Sequence, residues 1–503
     1  MMEPPADGGS TRAQHIAFVV AVSLVVRLYL IYRYPIIFGN DTIARLAKAN
    51  HIVLSHNLPL LQAAIHFLAP ISRGPLLVRW FMAVVGSVAG AGFYLLLSDL
   101  VVPSVALDGS LLFATSPFIL ANSVVPYQEI LMLAGLVFAF HFAFTERWAL
   151  ASLSLGVACL TRYEAWLACP ILAGAYAWKR GAGPRSALVG LALFGWAPLG
   201  WIAYNRGITP TGSYAIEWSS NPERLLRWAH LGAVTLRYAG LPTLALAVGG
   251  MVVFWKRRLF TRPAYRMLTA YLVLFLVAIL FSAMGYGQNP ERTVTEREAH
   301  IPLVAVTLLA ALGLSPLPRL RHGVAALGAI VGLVMADRYV RHQTSEPHLA
   351  LSYRVARYLD REVPAGATVV VLARGRGPDA EPSLARLEQL RGAAAVRRRV
   401  QVLQDLDMAK PADYERILVH SRLGEDRLQS YATLALGRYA DSATTSTSDS
   451  TVLFRHPQWI VLWNNFVPTN ALETRLQAEA VVAQPVQVFQ QDSVWVRLYA
   501  PRL

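Results

Sequence analysis

The sequence of 503 residues predicts a polytopic α-helical membrane protein of about eleven transmembrane helices, followed by a soluble C-terminal α/β domain. Three observations carry this expectation: 55% hydrophobic composition, repeated apolar runs of membrane-crossing length, and a change of character after residue 340. Ile16 to Tyr32 is interrupted only by Arg27, Trp80 to Leu97 carries no charge, and Leu231 to Trp255 carries only Arg237. Runs of this length match the helical path through about 30 Å of hydrocarbon.

The expected membrane segments are 15–33, 77–97, 104–121, 128–145, 148–160, 165–178, 187–204, 231–255, 267–284, 300–316 and 324–338. The first resembles a signal peptide in position. Its flank Tyr29-Leu-Ile-Tyr-Arg-Tyr-Pro35 lacks a small-residue cleavage site, so it reads as a retained helix. The stretch 148–178 is one long helix or two short ones meeting at Thr161-Arg-Tyr-Glu164. Two short helices put the basic clusters Trp178–Arg185, Lys256–Arg262 with Arg266, and Arg319-Leu-Arg321 on one side, as the positive-inside rule asks. The net charge of +15 therefore reads as topology, and its scatter over short loops excludes a nucleic-acid groove. Cys159 and Cys169 lie in apolar surroundings and read as buried small hydrophobes rather than a disulfide or metal pair.

With the N-terminus inside, the outer loops are 34–76, 122–127, 161–164, 205–230 and 285–299, and the chain after 339 emerges outside. The first of these is apolar enough at 42–53 and 58–68 to form surface-lying helices. The domain boundary falls between 1–340 and 341–503. In the second part, 349–359, 382–392 and 423–439 read as helices, and 367–373, 416–420, 452–455, 460–463 and 486–499 as strands. The Ser/Thr run 442–451 reads as a loop, and Ala373-Arg-Gly-Arg-Gly-Pro lacks the spacing of a phosphate loop.

Ionisable groups gather in the outer loops. Asp41, in Phe38-Gly-Asn-Asp-Thr42, is either a helix cap or a functional carboxylate, set among His51, Ser55, His56, Asn57 and Gln62. Glu129 begins a membrane helix, where it can pair with Arg162, bind a metal or cap. Arg162 offers a donor fork suited to a lipid phosphate, or an ion pair with Glu129 or Glu164. Glu291, Arg292, Glu296 and Arg297 form a bank of donors and acceptors before the helix starting at 300, and Tyr214, Glu217 and Trp218 suit a sugar. These groups permit inverting transfer from a polyprenyl-phosphate sugar. Asp41 would be the general base, and arginines would stabilise charge on the leaving phosphate.

Phe38-Gly-Asn-Asp-Thr42 after the first helix, Ser55-His-Asn-Leu-Pro-Leu60, and Leu160-Thr-Arg-Tyr-Glu-Ala-Trp166 between two short helices resemble the GT-C superfamily of lipid-linked-sugar glycosyltransferases. The likeness is to the branch of protein O-mannosyltransferases and aminoarabinose transferases, and it spans residues 15–338. It implies a catalytic Asp41 and a polyprenyl-phosphate-linked sugar donor. The acceptor would be a glycan, lipid or protein outside the inner membrane, with the C-terminal domain extracytoplasmic. By analogy with oligosaccharyltransferases it leaves open a Mg2+ or Mn2+ ion on Glu129 with Glu291 or Glu296. The tryptophan-tryptophan-aspartate signature of those enzymes is absent, so transfer of oligosaccharide to asparagine is not expected. The alternative is a polyprenyl-linked lipid or sugar flippase, which would need a polar path to both faces.

Cysteines introduced by Ala182→Cys and Arg292→Cys should react with an impermeant thiol reagent from opposite sides of the membrane; labelling of both from one side would overturn the topology.

Overall fold

The computed structural model describes residues 8–38, 42, 58–68, 71, 75–205, 223–281, 299–345, 354, 358, 369–373, 443–445, 459–464, 485–491 and 494–499. The helices are α1 (Gly8–Arg33), α2 (Pro59–Leu68), α3 (Pro75–Ser98), α4 (Pro103–Ala114), α5 (Pro117–Asn122), α6 (Gln128–Phe144) and α7 (Trp148–Cys159). They continue as α8 (Ala168–Lys179), α9 (Pro184–Asn205), α10 (Glu223–Ala239), α11 (Leu241–Lys256), α12 (Pro263–Phe281), α13 (His300–Leu314) and α14 (Arg321–Thr344). Each expected membrane segment overlaps a described helix, two of them a broken pair. Among the described residues, Thr11–Arg33, Leu76–Ser98, Pro184–Tyr204 and Arg321–Thr344 are individually long and apolar enough to cross a membrane. Apolar side chains such as Val25, Val84, Leu191, Val248 and Val273 stand exposed on the helices, the surface that hydrocarbon solvates.

Two expected segments are broken. The run 104–121 divides into α4 and α5, because Pro117 supplies no N–H and holds Ser116 in an extended conformation, φ −51° and ψ 124°. The run 231–255 divides into α10 and α11, bent by 112°. Gly240 sits at the bend with φ +76°, a conformation that suits glycine, and Pro242 follows in the first turn of α11.

The stretch 148–178 forms a helical hairpin. Trp148 at the start of α7 meets Tyr176 near the end of α8, with ring centroids 5.4 Å apart. Cys159 at the end of α7 meets Cys169 at the start of α8. The chain therefore turns back on itself at 160–167, where Tyr163–Leu167 form one 3-10 turn.

Contacts between helix ends sort into two sets. At one end Arg12 bonds Ser98 (3.3 Å), Asp99 bonds His141 (2.6 Å), Tyr265 donates to the Leu100 carbonyl (3.3 Å), and Asp108 meets His322 (2.8 Å) and Arg321 (3.5 Å). Glu146 and Lys179 pair there at 2.7 Å, and the lysine's hydrogen bond and charge hold the Glu146 carboxyl below its usual range. At the other end Arg33 pairs with Asp337 (2.9 Å), Arg79 reaches the Val124 carbonyl (2.9 Å), and Arg162 meets Glu129.

The chain divides into two compact units: Met1–Arg33 with Leu54–Leu61 and Arg79–Val340, and Tyr34–Val53 with Gln62–Val78 and Arg341–Leu503. The second contains a mixed sheet of β1 (Val369–Ala373), β2 (Ala443–Thr445), β3 (Trp459–Asn464), β4 (Gln487–Gln491) and β5 (Val494–Tyr499), in the order β2-β1-β3-β5-β4. β1 runs parallel to β2 and β3, with Val369 opposite both Ala443 and Trp459. β5 runs antiparallel to β3 and β4. Two expectations are corrected here. Part of the Ser/Thr run is an edge strand, where β-branched Thr444 and Thr445 fit the pleat, and 486–499 is two strands rather than one. Arg354 and Tyr358 are helical, whereas the other residues of 349–359, the expected helices 382–392 and 423–439, and the expected strands 416–420 and 452–455 lie outside the described residues.

α11 and α13 cross at Gly250 and Gly313. A Cβ on Gly250 would strike the Leu309 carbonyl, and one on Gly313 the Leu246 carbonyl, so the backbones touch where no side chain fits. Gly313→Val should therefore cost about 2 kcal/mol or more by overpacking. Gly174→Ala, with nothing within 4 Å, should be neutral or stabilising. Thermal unfolding in detergent checks both, and equal effects would place the crossing elsewhere.

Candidate functional site

The turn between α7 and α8 carries the densest polar contacts among the sequence-singled residues that the structure describes. Arg162 closes α7, its N–H donating to the Ala158 carbonyl at 3.0 Å, and then leaves helical geometry at φ −148° and ψ 146°. Glu164 follows inside the 3-10 turn. Glu129 lies in the first turn of α6, where the helix N-terminus favours a carboxylate.

These three side chains meet. The Arg162 guanidinium donates from Nη1 to Glu129 Oε1 at 2.5 Å, from Nε to both Glu164 oxygens at 3.0 Å, and from Nη2 to Glu164 Oε1. The Glu129 side chain is 1% exposed, Glu164 11% and Arg162 14%. Of the readings open for Glu129 and Arg162, the ion pair is the one this geometry displays.

Backbone contacts fix the same turn. The Leu60 N–H donates to the Leu160 carbonyl (3.1 Å), Trp166 Nε1 to the Cys159 carbonyl (3.0 Å), and the Tyr271 hydroxyl to the Glu164 carbonyl (3.3 Å). The guanidinium is thus presented from a rigid platform rather than a loose loop. It can neutralise an acid or hold an anion, but here two carboxylates already engage it.

Two further arginines at this end of the bundle were not singled out as site residues in the sequence. Arg27 in α1 is fully buried; its Nη1 donates to the Ser23 carbonyl (2.9 Å), the Ser23 hydroxyl and the Ala114 carbonyl (3.3 Å). Arg79 in α3 is 2% exposed and donates to the carbonyls of Val124 (2.9 Å) and Ile31 (3.4 Å). The available signal was a basic residue within or beside an apolar run.

The other singled-out residues, Asp41, His56, Tyr214, Glu217, Glu291, Arg292, Glu296 and Arg297, lie outside the described residues. Thr42, next to Asp41, is buried and donates its hydroxyl to the Phe38 carbonyl at 2.6 Å. Among the described residues no group of three His, Cys, Asp or Glu side chains could hold a metal ion. Glu129, the described member of the metal set, turns its Oε1 to the Arg162 guanidinium, and Glu291 and Glu296 lie outside the described residues.

Glu129→Ala should destabilise the protein by about 2 kcal/mol, the scale of a lost hydrogen bond between charged groups, while Arg162 keeps Glu164 as its partner. Glu129→Ala with Arg162→Ala should cost less than the sum of the single substitutions, by about 1–3 kcal/mol. Denaturant unfolding of the four proteins measures this, and strict additivity would sink the pair.

No protein-family model and no curated protein matches the chain in sequence. Solved structures match it in fold. ArnT from Cupriavidus metallidurans in the apo state superposes with a TM-score of 0.59 at 11% identity, covering 97% of this chain and 98% of that one. The same protein bound to undecaprenyl phosphate gives 0.54 at 12% identity, covering 96% and 97%. The chain is accordingly a multi-pass helical membrane protein that shares the fold of ArnT.

Proposed function

We propose that this protein transfers a sugar from a polyprenyl-phosphate carrier to an acceptor at the outer face of the inner membrane, with inversion at the anomeric carbon. The observation that carries the proposal is the fold shared with ArnT over nearly the whole of both chains, including a structure of ArnT holding undecaprenyl phosphate. The polar turn at 160–167 supports it, because it sets ionisable groups among apolar helices where a carrier's tail could remain in lipid.

In this reading Asp41 takes the proton of the acceptor hydroxyl as that oxygen attacks the anomeric carbon. The carbon–oxygen bond to the carrier phosphate breaks on the opposite side of the sugar, and the electron pair leaves on the phosphate. Arg292 and Arg297 neutralise that charge, while His56, Tyr214 and Glu217 hold the sugar or its phosphate. Arg162, committed to Glu129 and Glu164, positions the turn and approaches the phosphate only by exchanging a carboxylate. Glu129 with Glu291 or Glu296 would hold a divalent ion, Mg2+ or Mn2+, that supplies positive charge beside the leaving phosphate. The acceptor belongs outside, with residues 341–503 on the same side as the site.

The test supplies purified protein with a panel of polyprenyl-phosphate sugars and candidate acceptors. Asp41→Asn should lower kcat by at least about a hundredfold, the scale of a lost general base. Transfer undiminished by that substitution would remove Asp41 from the mechanism. Lipid translocation without transfer would instead establish the flippase alternative.

A further inference from the structure

The chain contains two cysteines, and in the structure both are free thiols. Ten residues apart in an apolar sequence, they read as separate small hydrophobes. The hairpin changes this, because α7 and α8 run back along one another and place Cys159 Sγ 3.7 Å from Cys169 Sγ. The pair sits at the end of the hairpin that carries Arg162 and Glu164. Cys159 is buried, and Cys169 is partly exposed.

A disulfide needs its sulfurs at about 2.05 Å and its Cβ atoms at about 4 Å. Two thiols already in contact reach that distance by side-chain rotation and a small shift of the helix ends. We propose that Cys159 and Cys169 are an oxidisable cross-link, closed by a disulfide oxidant at the outer face, that staples the hairpin and fixes the turn bearing Arg162 and Glu164. The placement of this end outside rests on the orientation proposed above, and oxidising compartments are where such bonds persist.

The chemistry balances with one disulfide, RSSR, as co-reactant. The more accessible Cys169 sulfur, as thiolate, attacks one sulfur of RSSR and releases one RS−, which takes up a proton to become RSH. Cys159 then attacks the Cys169 sulfur of the mixed disulfide and releases the second RSH. The two protein thiols lose two electrons and two protons, which the two RSH molecules carry away.

Because there are no other cysteines, the mass of the full-length protein after denaturing alkylation with N-ethylmaleimide reports the bond directly. Purified protein treated with dithiothreitol should take two adducts. After oxidised glutathione it should take none and retain no glutathione. Cys169→Ser should keep its single adduct or carry one glutathione under the same treatment. Two adducts after oxidation, or a persistent mixed disulfide in the parent, would overturn the cross-link.

A second arm alkylates intact cells after acid quenching. No adducts there supports both the cross-link and its outward placement. Two adducts in cells, with closure by glutathione in the purified protein, keeps the cross-link and overturns the outward placement. Asp41→Asn loses transfer independently of either result, so failure of the function and failure of the cross-link remain separable.

Discussion

Hydrocarbon offers a peptide carbonyl nothing to bond to, so every place where this chain leaves the α-helix has to be satisfied from within the protein. That constraint explains the otherwise costly side chains of the bundle. Arg27 takes the Ala114 carbonyl at the end of α4, Arg79 takes Val124 beyond α5 and Ile31 in α1, and Tyr265 takes Leu100 beyond α3. Trp166 and Tyr271 do the same for Cys159 and Glu164 at the 160–167 turn. Each is a donor on an apolar or long stem, able to reach a freed carbonyl while its body stays packed.

Hydropathy and charge read the bundle well because they report the two things a bilayer selects most strongly, apolar length and basic inner loops. They read breaks poorly. Nothing in the hydropathy of 231–255 distinguishes a straight helix from one bent by 112°, since the bend depends on Gly240 adopting φ +76° beside Pro242. Pro117 carried the corresponding signal for 104–121, but an uninterrupted apolar run outweighed it. The hairpin at 148–178 was legible because charge had to balance on one side, a global condition that local helix propensity does not contain.

The site was legible as a set of residue types and not as a set of partners. Glu129 and Arg162 stood out because ionisable groups beside hydrocarbon are expensive, yet their 33-residue separation left three readings open. Only the return of α7 along α6 brings Arg162 back to the start of α6. The two cysteines show the same limit: ten residues of apolar sequence say nothing about adjacency until the hairpin supplies it. In the C-terminal sheet the β-branched centre of β1 and β3 was visible, whereas pairing of Ala443–Thr445 with β1 depends on a neighbour 74 residues away.

The charge of the triad constrains how the turn can take part in the proposed transfer. Two ionised carboxylates on one guanidinium leave a formal charge of −1, partly offset by the N-terminus of α6. In the proposed transfer a phosphate would find the Arg162 donors turned to two carboxylates, so direct contact with Arg162 requires one carboxylate to move. The two are not equivalent. Glu129 is 1% exposed and anchored in a helix, and releasing it would strand a buried charge. Glu164 is more exposed, lies only two residues from its partner, and occupies Nε and Nη2, the paired donors that match a phosphate edge. Exchange of Glu164 for a phosphate therefore preserves the Glu129 anchor and returns the guanidinium to a geometry it already holds.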